Sequence, residues 1–133
     1  LQAGLTPIVC VGELLAQREA GETGRVIREQ IAGSLADVTA EQVASLVIAY
    51  EPVWAIGTGL TPTNDDIAQM HGMIRRLLVE RFKERGPRAR ILYGGSLKPV
   101  NAHEILRIDN VNGGLVGGAS LLANDFYAII SAI

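Results

Sequence analysis

The chain has 133 residues, of which 48% are hydrophobic and 20% are charged, and its formal net charge is −2. These values predict a soluble globular chain with one hydrophobic core, and the scattered charges argue against a nucleic-acid-binding surface. No apolar run approaches the roughly 20 residues of a membrane helix. The single cysteine, Cys10, has no internal disulfide partner, which suits a reducing compartment. We therefore expect a cytoplasmic protein without nucleic-acid or membrane partners.

The first predicted strand is the apolar run Thr6–Val11, which ends at Gly12–Glu13. A short continuous apolar run is typical of a strand that is buried on both faces of a parallel sheet. Cys10 lies within this run and is interpreted as a small buried hydrophobic residue. A long helical stretch follows, and one of its faces is predicted to carry Ile27, Ile31 and Leu35.

The second predicted strand, Leu46–Tyr50, ends in the carboxylate of Glu51. The loop after it contains one large aromatic residue, Trp54, two glycines and a threonine. A charged side chain at the carboxyl end of a buried strand, followed by a hinged loop, favours a catalytic base beneath a lid. The alternative is a solvated glutamate before an ordinary turn.

The next helix has the clearest signals in the chain. Thr63 can cap its start, and Gly86–Pro87 is predicted to stop it. His71 in this helix and His103 in a later one are interpreted as structural residues. The inner stripe of the helix is predicted to consist of Ile67, Met70, Ile74, Leu77 and Leu78.

Two further strand–helix units complete the predicted order. Arg90–Tyr93 is the third strand, followed by a short helix from Pro99 to Arg107. Gly113–Val116 is the fourth strand, and Gly117–Ser120 opens a helical turn. Asn124 is predicted to cap a last helix with Phe126, Ile129, Ile130 and Ile133 at helical spacing.

Strand and helix therefore alternate four times. Strands separated by helical crossovers pair in parallel, with right-handed connections. Four such units form either a small open parallel sheet or half of an eight-unit barrel, whose usual size is about 250 residues. The number of strands leaves both architectures open.

Glycine-containing segments follow three of the four predicted strands, namely Ile56–Gly57, Gly95–Ser96 and Gly117–Gly118. In a parallel arrangement all three lie on the face where α/β proteins bind ligands, and glycine lets backbone N–H groups approach an anion. A P-loop is excluded because Ala119 replaces the required lysine, and no dinucleotide-binding glycine motif is present. Tight turns are the alternative for each pair alone. Their convergence with Glu51 favours a phosphate site.

Four motifs resemble the triosephosphate isomerase family: CVGE (Cys10–Glu13), AYEPVWAIGTG (Ala49–Gly59), YGGS (Tyr93–Ser96) and GLVGGASL (Gly114–Leu121). The similarity covers essentially the whole chain, in order and with spacing like that of the family. It implies an α/β fold, a (βα)4 half of a (β/α)8 TIM barrel with parallel strands. Residues 1–133 would form its C-terminal half as a single unit, strands five to eight, without the N-terminal half.

The resemblance also implies roles for individual residues. Glu51 corresponds to the general base that moves a proton between two carbons of the triose phosphate substrate. Glu13 and Tyr93 are expected to support the lid. The substrate phosphate is expected on the N–H groups of Gly57, Ser96, Gly117 and Gly118. The lid corresponds to Pro52, Val53, Trp54, Ala55, Ile56, Gly57, Thr58, Gly59, Leu60, Thr61 and Pro62. No metal and no cofactor are implied.

Two departures from the family pattern fall in the second hinge of the lid. Leu60 stands where many relatives have lysine, and Pro62 stands where the family often has alanine. The N–H of that alanine can bond the tyrosine hydroxyl of the YGGS motif. Because proline has no N–H, Tyr93 is expected to lack this partner.

The family pattern needs two groups that this match does not supply, an asparagine–lysine pair after the first strand and an electrophilic histidine after the fourth. Lys98, His71 and His103 do not occupy these positions. Losing one donor to a developing oxyanion typically costs about 10² to 10³ in rate, so we expect the chain alone to be inactive or nearly so. The open edges of half a barrel predict pairing with an N-terminal half-barrel or with a second copy, in a family that is homodimeric.

Three functions stay open at this point. The first is the isomerase activity of glycolysis and gluconeogenesis, with an N-terminal half present. The second is a non-catalytic phosphate-binding half-barrel that serves as a folding or assembly unit. The third is a different phosphate-binding barrel enzyme, against which the Glu51 loop argues strongly.

Overall fold

The structure is a computed structural model that describes residues 1–56, 58 and 60–133. The predicted phosphate contact of Gly57 and the predicted place of Gly57 and Gly59 in the lid lie outside the described residues.

The described residues contain strands and helices in alternation. The strands are β1 (Ile8–Val11), β2 (Val47–Tyr50) and β3 (Arg90–Tyr93). The α-helices are α1 (Leu15–Glu19), α2 (Thr23–Ser34), α3 (Asn64–Phe82), α4 (Pro99–Ile105) and α5 (Ala123–Ile130). Short 3₁₀ segments lie at Val43–Ser45, Val53–Ala55, Lys83–Arg88 and Gly118–Leu121. None of these helices is long and apolar enough to cross a membrane.

The three strands form one parallel sheet in the order β1-β2-β3. Val11 pairs with Tyr50, and Tyr50 pairs with Tyr93, so the three strands end at the same level. The ladder continues one residue further, because the N–H of Glu51 bonds the carbonyl of Val11 and the N–H of Gly94 bonds that of Tyr50, both at 2.8 Å. The predicted parallel α/β architecture is confirmed in these residues.

The predicted fourth strand, Gly113–Val116, is reduced to an isolated parallel bridge between Tyr93 and Gly114. Two hydrogen bonds hold the segment, from Tyr93 N–H to the Gly113 carbonyl at 3.0 Å and from Leu115 N–H to the Tyr93 carbonyl at 2.9 Å. Gly113 has a φ of +151°, which a strand does not adopt. Gly114 follows it, and two glycines in succession weaken a strand because neither has a side chain to restrict the backbone. The segment keeps its predicted position beside β3 but not its predicted length.

The hydrophobic core lies on one face of the sheet, beneath α2 and α3. The side chains of Val11, Ile48, Tyr50, Ile91 and Tyr93 point to this face and are buried. They alternate with side chains on the opposite face, as the period of a strand requires.

The opposite face of the sheet is partly open, which corrects two predictions about β1. Ile8 is 47% exposed and Cys10 is exposed, so β1 is not buried on both faces and Cys10 is not a buried residue. Central β2, in contrast, is buried along its whole length. The difference arises because β1 lies at the edge of the sheet and has one neighbouring strand, whereas β2 has a strand on each side. An apolar run does not indicate how many strands will flank it.

Gly12 follows β1 and is bound by a side chain from α2. The amide of Gln30 accepts a hydrogen bond from the Gly12 N–H and donates one to the Gly12 carbonyl, both at 2.9 Å. A side-chain amide thus occupies both backbone groups of Gly12.

Helix α3 begins and packs as predicted but ends earlier. The Thr63 hydroxyl accepts from the N–H of Asp66, whose carboxylate accepts from the Thr63 N–H in return. All five residues of its predicted inner stripe are buried. The α-helix ends at Phe82, since Lys83 takes a positive φ of 52°, and a 3₁₀ segment containing Gly86–Pro87 follows.

Helix α5 corrects the prediction for the last helix. Leu122, not Asn124, precedes its first residue, and Asn124 lies within the first turn. Only Ile129 of the predicted apolar residues is buried, while Phe126, Ile130 and Ile133 are exposed. Helical spacing marks an apolar face correctly, but it does not show whether that face is covered.

Candidate active site

Glu51 lies directly after β2, at the carboxyl end of the sheet, and is half-buried. Glycine follows each of the two neighbouring strands, Gly12 after β1 and Gly94 after β3. At both positions a side chain would collide with Glu51. A Cβ on Gly94 would lie 2.6 Å from Cγ and 3.2 Å from Oε1 of Glu51, and a Cβ on Gly12 would collide with the Glu51 carbonyl oxygen. The position of the carboxylate therefore depends on glycine at residues 12 and 94.

Cys10 shares the open face of the sheet with Glu51. Partial burial, followed by the negative charge of the Glu51 carboxylate, raises the pKa of the Cys10 thiol. Cys10 is consequently a neutral neighbour of the carboxylate near pH 7.

Glu13 is fully buried and is the centre of a polar cluster beneath the loop after β2. Its Oε1 accepts from Trp54 Nε1 at 2.8 Å and from the Tyr50 hydroxyl at 3.2 Å. The guanidinium of Arg18 lies 3.7 Å from the same oxygen. Burial, and then the Glu13 charge, raise the pKa of Tyr50, so its hydroxyl remains a donor.

Arg18 connects the two ends of the loop formed by residues 52–62. Its guanidinium carbon stands 4.3 Å from the centre of the Trp54 ring. Its Nη2 also donates to Asp66 at 2.7 Å, and Asp66 caps α3 with Thr63, the residue after the loop. One side chain thus contacts both the beginning of the loop and the helix that follows it.

The described residues of the loop are buried at its two ends and exposed between them. Pro52, Trp54, Ala55 and Pro62 are buried; Val53, Ile56, Thr58, Leu60 and Thr61 are exposed. The Thr58 hydroxyl donates to the Trp54 carbonyl at 2.8 Å and accepts from the Leu60 N–H at 3.2 Å. The described part of the loop is therefore a folded turn fixed at its first end.

The Tyr93 hydroxyl is buried and has no hydrogen-bond partner among the described residues. Pro62 offers it no N–H. The hydroxyl lies against Gly95, where any side chain would collide with it. Burial raises the pKa of Tyr93 to about 12.

His71 lies between the rings of Tyr50 and Tyr93, with ring centres at 6.0 and 6.3 Å. Its Nδ1 lies 3.1 Å from the Asn110 carbonyl, and burial lowers the pKa of His71 to about 4. A neutral imidazole that donates to a carbonyl within the core fits the structural role predicted for it. His103, on α4, is exposed.

Two adjoining clefts lie beside the carboxyl end of the sheet. The larger, of about 650 Å³, is lined by Gly95–Pro99, Val100, Gly117–Ala119 and Asp125. The smaller, of about 410 Å³, is lined by Ala55, Ile56, Leu60, Thr61, Gly94–Ser96, Lys98 and Gly117. Residues of the predicted lid and of the predicted phosphate site therefore line the same space.

Three backbone N–H groups at this space have no partner among the residues that the structure describes. The N–H groups of Ser96, Gly117 and Gly118 donate to no other residue in the described part of the chain. Uncommitted N–H groups next to glycine form the kind of concave site that binds anions. Glu51 lines neither cleft itself, but its side chain packs on Gly94, which lines the smaller one.

Three residues at the site were not singled out from the sequence. Lys98 lines both clefts, Asp125 lines the larger one, and Arg18 holds the loop. Of these three, only Lys98 could have been identified from the sequence, because it lies two residues after the Gly95–Ser96 segment of the predicted phosphate site. Arg18 meets Asp66 across 48 positions, a pairing that no local pattern reveals. Within the described residues, no three His, Cys, Asp or Glu side chains cluster as metal ligands would.

Comparison with known proteins agrees with this arrangement over the whole chain. The family model for triosephosphate isomerase matches residues 1–133. Triosephosphate isomerase of Afipia carboxidovorans is 59% identical over 131 residues, which cover 98% of this chain and 51% of that protein. The enzyme of Bradyrhizobium diazoefficiens is 59% identical over 128 residues, covering 96% of this chain and 50% of that protein.

A solved structure extends the likeness to the fold. The crystal structure of triosephosphate isomerase from Bartonella henselae superimposes with a TM-score of 0.88 at 44% identity, covering 98% of this chain and 52% of that one. The chain thus has the fold of part of a TIM barrel, with an open parallel sheet. It spans about half the length of the relatives it matches. The chain belongs to the triosephosphate isomerase family.

Proposed function

We propose that this chain is the C-terminal half of a cytoplasmic triosephosphate isomerase. With an N-terminal half present, it would interconvert dihydroxyacetone phosphate and glyceraldehyde 3-phosphate in glycolysis and gluconeogenesis. The observation that carries the proposal is the position of Glu51, next to a space lined by free amides and by loop residues. Family membership supports the same reaction.

Glu51 acts as the general base in this proposal. Its carboxylate removes a proton from the carbon next to the substrate carbonyl, which leaves an enediolate, and returns the proton to the neighbouring carbon. The carbonyl double bond moves to the neighbouring carbon, and the hydroxyl proton of that carbon moves to the former carbonyl oxygen. No atom is gained or lost. The glycines at positions 12 and 94 leave the space that Glu51 occupies, since a side chain at either position would displace it from this geometry.

The phosphate group of the substrate binds the amides of Ser96, Gly117 and Gly118, and that of Gly57 from the lid. Residues 52–62 act as the lid, anchored at one end by Trp54 and Glu13. Closing the lid excludes water and protects the enediolate from losing its phosphate.

The groups that polarise the substrate carbonyl come from the N-terminal half-barrel. The open face of β1 supports such a partner, as do the exposed apolar side chains near the C-terminus. These side chains are Leu121, Leu122, Phe126, Tyr127, Ile130 and Ile133. A second copy of the chain is the other candidate for covering them.

A reconstitution experiment tests the proposal. The chain is mixed with the N-terminal half of the Afipia carboxidovorans relative, and isomerisation is followed with both substrates. We expect activity in the mixture that falls at least 10³-fold in Glu51→Gln and is unchanged in Glu84→Gln, a matched change at an exposed residue. A complex that forms but has no activity above that of Glu51→Gln would contradict the proposal.

A non-catalytic phosphate-binding unit is the second candidate, and one observation favours it. This chain supplies the proposed phosphate donors, and those other than Gly57 lie in its described residues. In contrast, Glu51 is the only group of this chain to which we assign a part in the reaction. This candidate predicts that the chain binds phosphate and a partner half but that the complex remains inactive.

A further inference from the structure

Among the described residues, Lys98 is the only cationic side chain that lines either of the two clefts, and it lines both. Gly95, Ser96 and Gly117 are the other residues that the clefts share. Asp125 carries the one negative charge, and it lines the larger cleft alone. The shared part, where Ser96 and Gly117 present free amides, is therefore cationic.

The backbone of Lys98 is fixed relative to Ser96. Its N–H donates to Asn101 Oδ1 at 2.8 Å, and Asn101 Nδ2 donates to the Ser96 carbonyl at 3.0 Å. Pro99, with its restricted φ, follows directly. The Asn101 side chain thus joins the backbone carbonyl of Ser96 to the backbone N–H of Lys98.

The ammonium of Lys98 has no ion-pair or hydrogen-bond partner among residues 1–56, 58 and 60–133. None of the ion pairs within the described part of the chain involves it, although Arg18, Arg25 and Arg28 all have carboxylate partners. The side chain is exposed. It can therefore turn toward a ligand without breaking an ion pair.

We propose that Lys98 is a substrate-binding residue that pairs with the phosphate group held by the amides of Ser96, Gly117 and Gly118. The inference rests on the proposed function, since it adds a charge to the same site. A phosphate monoester carries about −1.5 to −2 charges near pH 7, and among the described residues that line the clefts Lys98 is the cation that can balance this charge. This role concerns the phosphate alone and not the carbonyl of the substrate.

The chain offers a direct test, because Lys83 and Lys98 are its only lysines. Reductive methylation with ¹³C-formaldehyde labels both lysines, together with the α-amino group of Leu1, and keeps their charge. Inorganic phosphate is then titrated into the whole chain. We expect it to shift the methyl resonance of Lys98 and leave that of Lys83 unchanged.

Substitutions turn the same titration into an affinity measurement, read from the amide resonances of Ser96, Gly117 and Gly118. Lys98→Met should weaken phosphate binding about threefold to tenfold, as expected for an ion pair that solvent reaches. Lys98→Arg should restore most of the affinity. Lys83→Met, the matched control on an exposed residue, should have no effect. Raising the salt from about 20 to about 200 mM should reduce the difference between Lys98→Met and the parent chain.

Two results would overturn the inference, and they differ in what they imply for the phosphate site. Equal phosphate affinity in Lys98→Met and the parent chain removes Lys98 from the site but leaves the amide site intact. An absence of amide shifts in the parent chain removes the phosphate site of this chain, and the role of Lys98 with it, whereas the proposed function is decided separately by the reconstitution experiment.

Discussion

Trp54 Nε1 donates a 2.8 Å hydrogen bond to Glu13, a carboxylate with no exposed surface. Through this bond the start of the loop after β2 is tied to the residue after Gly12, at the end of the neighbouring strand. The contact joins two positions 41 residues apart. It makes the loop dependent on a charge that is buried within the fold.

Removing the donor of this bond should destabilise the chain. Trp54→Phe keeps an aromatic ring but leaves Glu13 with one donor fewer. We expect the free energy of unfolding to fall by about 1 to 3 kcal/mol, as when a buried charged group loses a partner. Urea denaturation followed by circular dichroism measures it. If Trp54→Phe unfolds at the same urea concentration as the parent chain, the bond contributes nothing to stability.

Arg18 should stabilise the loop through its two carboxylate neighbours and its stacking on Trp54. Arg18→Met keeps much of the stem but loses the charge, and we expect a loss of roughly 1 to 2 kcal/mol because the group is partly exposed. Arg28→Met is the matched control, since Arg28 and Glu80 form a far more exposed pair. A double-mutant cycle with Asp66→Asn isolates the 2.7 Å contact, and a coupling energy near zero would refute its role.

Gly94 should be required for the position of Glu51. In Gly94→Ala the added methyl group overlaps the Glu51 side chain, so the carboxylate has to move. We expect the reconstituted activity to drop at least about 10²-fold, as misplacement of a catalytic group by 1 Å can do. Gly33→Ala is the matched control in α2, where nothing lies within 4 Å, and it should stabilise the chain by about 0.5 to 1 kcal/mol. Full activity in Gly94→Ala would show that the close approach is unimportant.

His71 should make the chain less stable in mild acid. Burial lowers its pKa in the folded chain to about 4, against about 6.5 when unfolded, so the unfolded state binds the proton first as the pH falls. Stability is therefore fully present above pH 6.5 and declines between pH 6.5 and 4, by roughly 3 kcal/mol in total. Urea titrations at several pH values measure this slope. It should flatten in His71→Phe and persist in His103→Gln, and an unchanged slope in His71→Phe would contradict the assignment.

The positions of β2 and β3 could be predicted because their signals are local. Each strand is an apolar run, and the runs end at Glu51 and at a glycine pair. The start of α3 follows from Thr63 and Asp66 for the same reason, since both partners of the cap lie within one turn. A lid and a phosphate site were predicted from the hinged loop and the glycine segments, and the resemblance of the motifs then assigned roles to individual residues, which stay predictions.

What failed depends on neighbours distant in sequence. The exposure of Cys10 reflects the edge position of β1, which an apolar run does not encode. The short pairing of Gly113–Val116 reflects a glycine at a positive φ. Lys98 was set aside because it does not fill the position of the family's lysine. Its place between the two clefts emerges only when the segments after β3 and before α5 come together.

The side chain of Gln30 limits what can join the free edge of the sheet. In β1 the backbone groups of alternate residues face β2, as the bond from Val47 N–H to the Pro7 carbonyl and that from Glu51 N–H to the Val11 carbonyl show. The groups of Ile8, Cys10 and Gly12 therefore face away from β2, and Gln30 already occupies those of Gly12. Within β1, only Ile8 and Cys10 remain to bond an incoming strand. Such a strand has to end its pairing before the level of Glu51, so its next residue turns away from the ladder at the height of the Glu51 carboxylate.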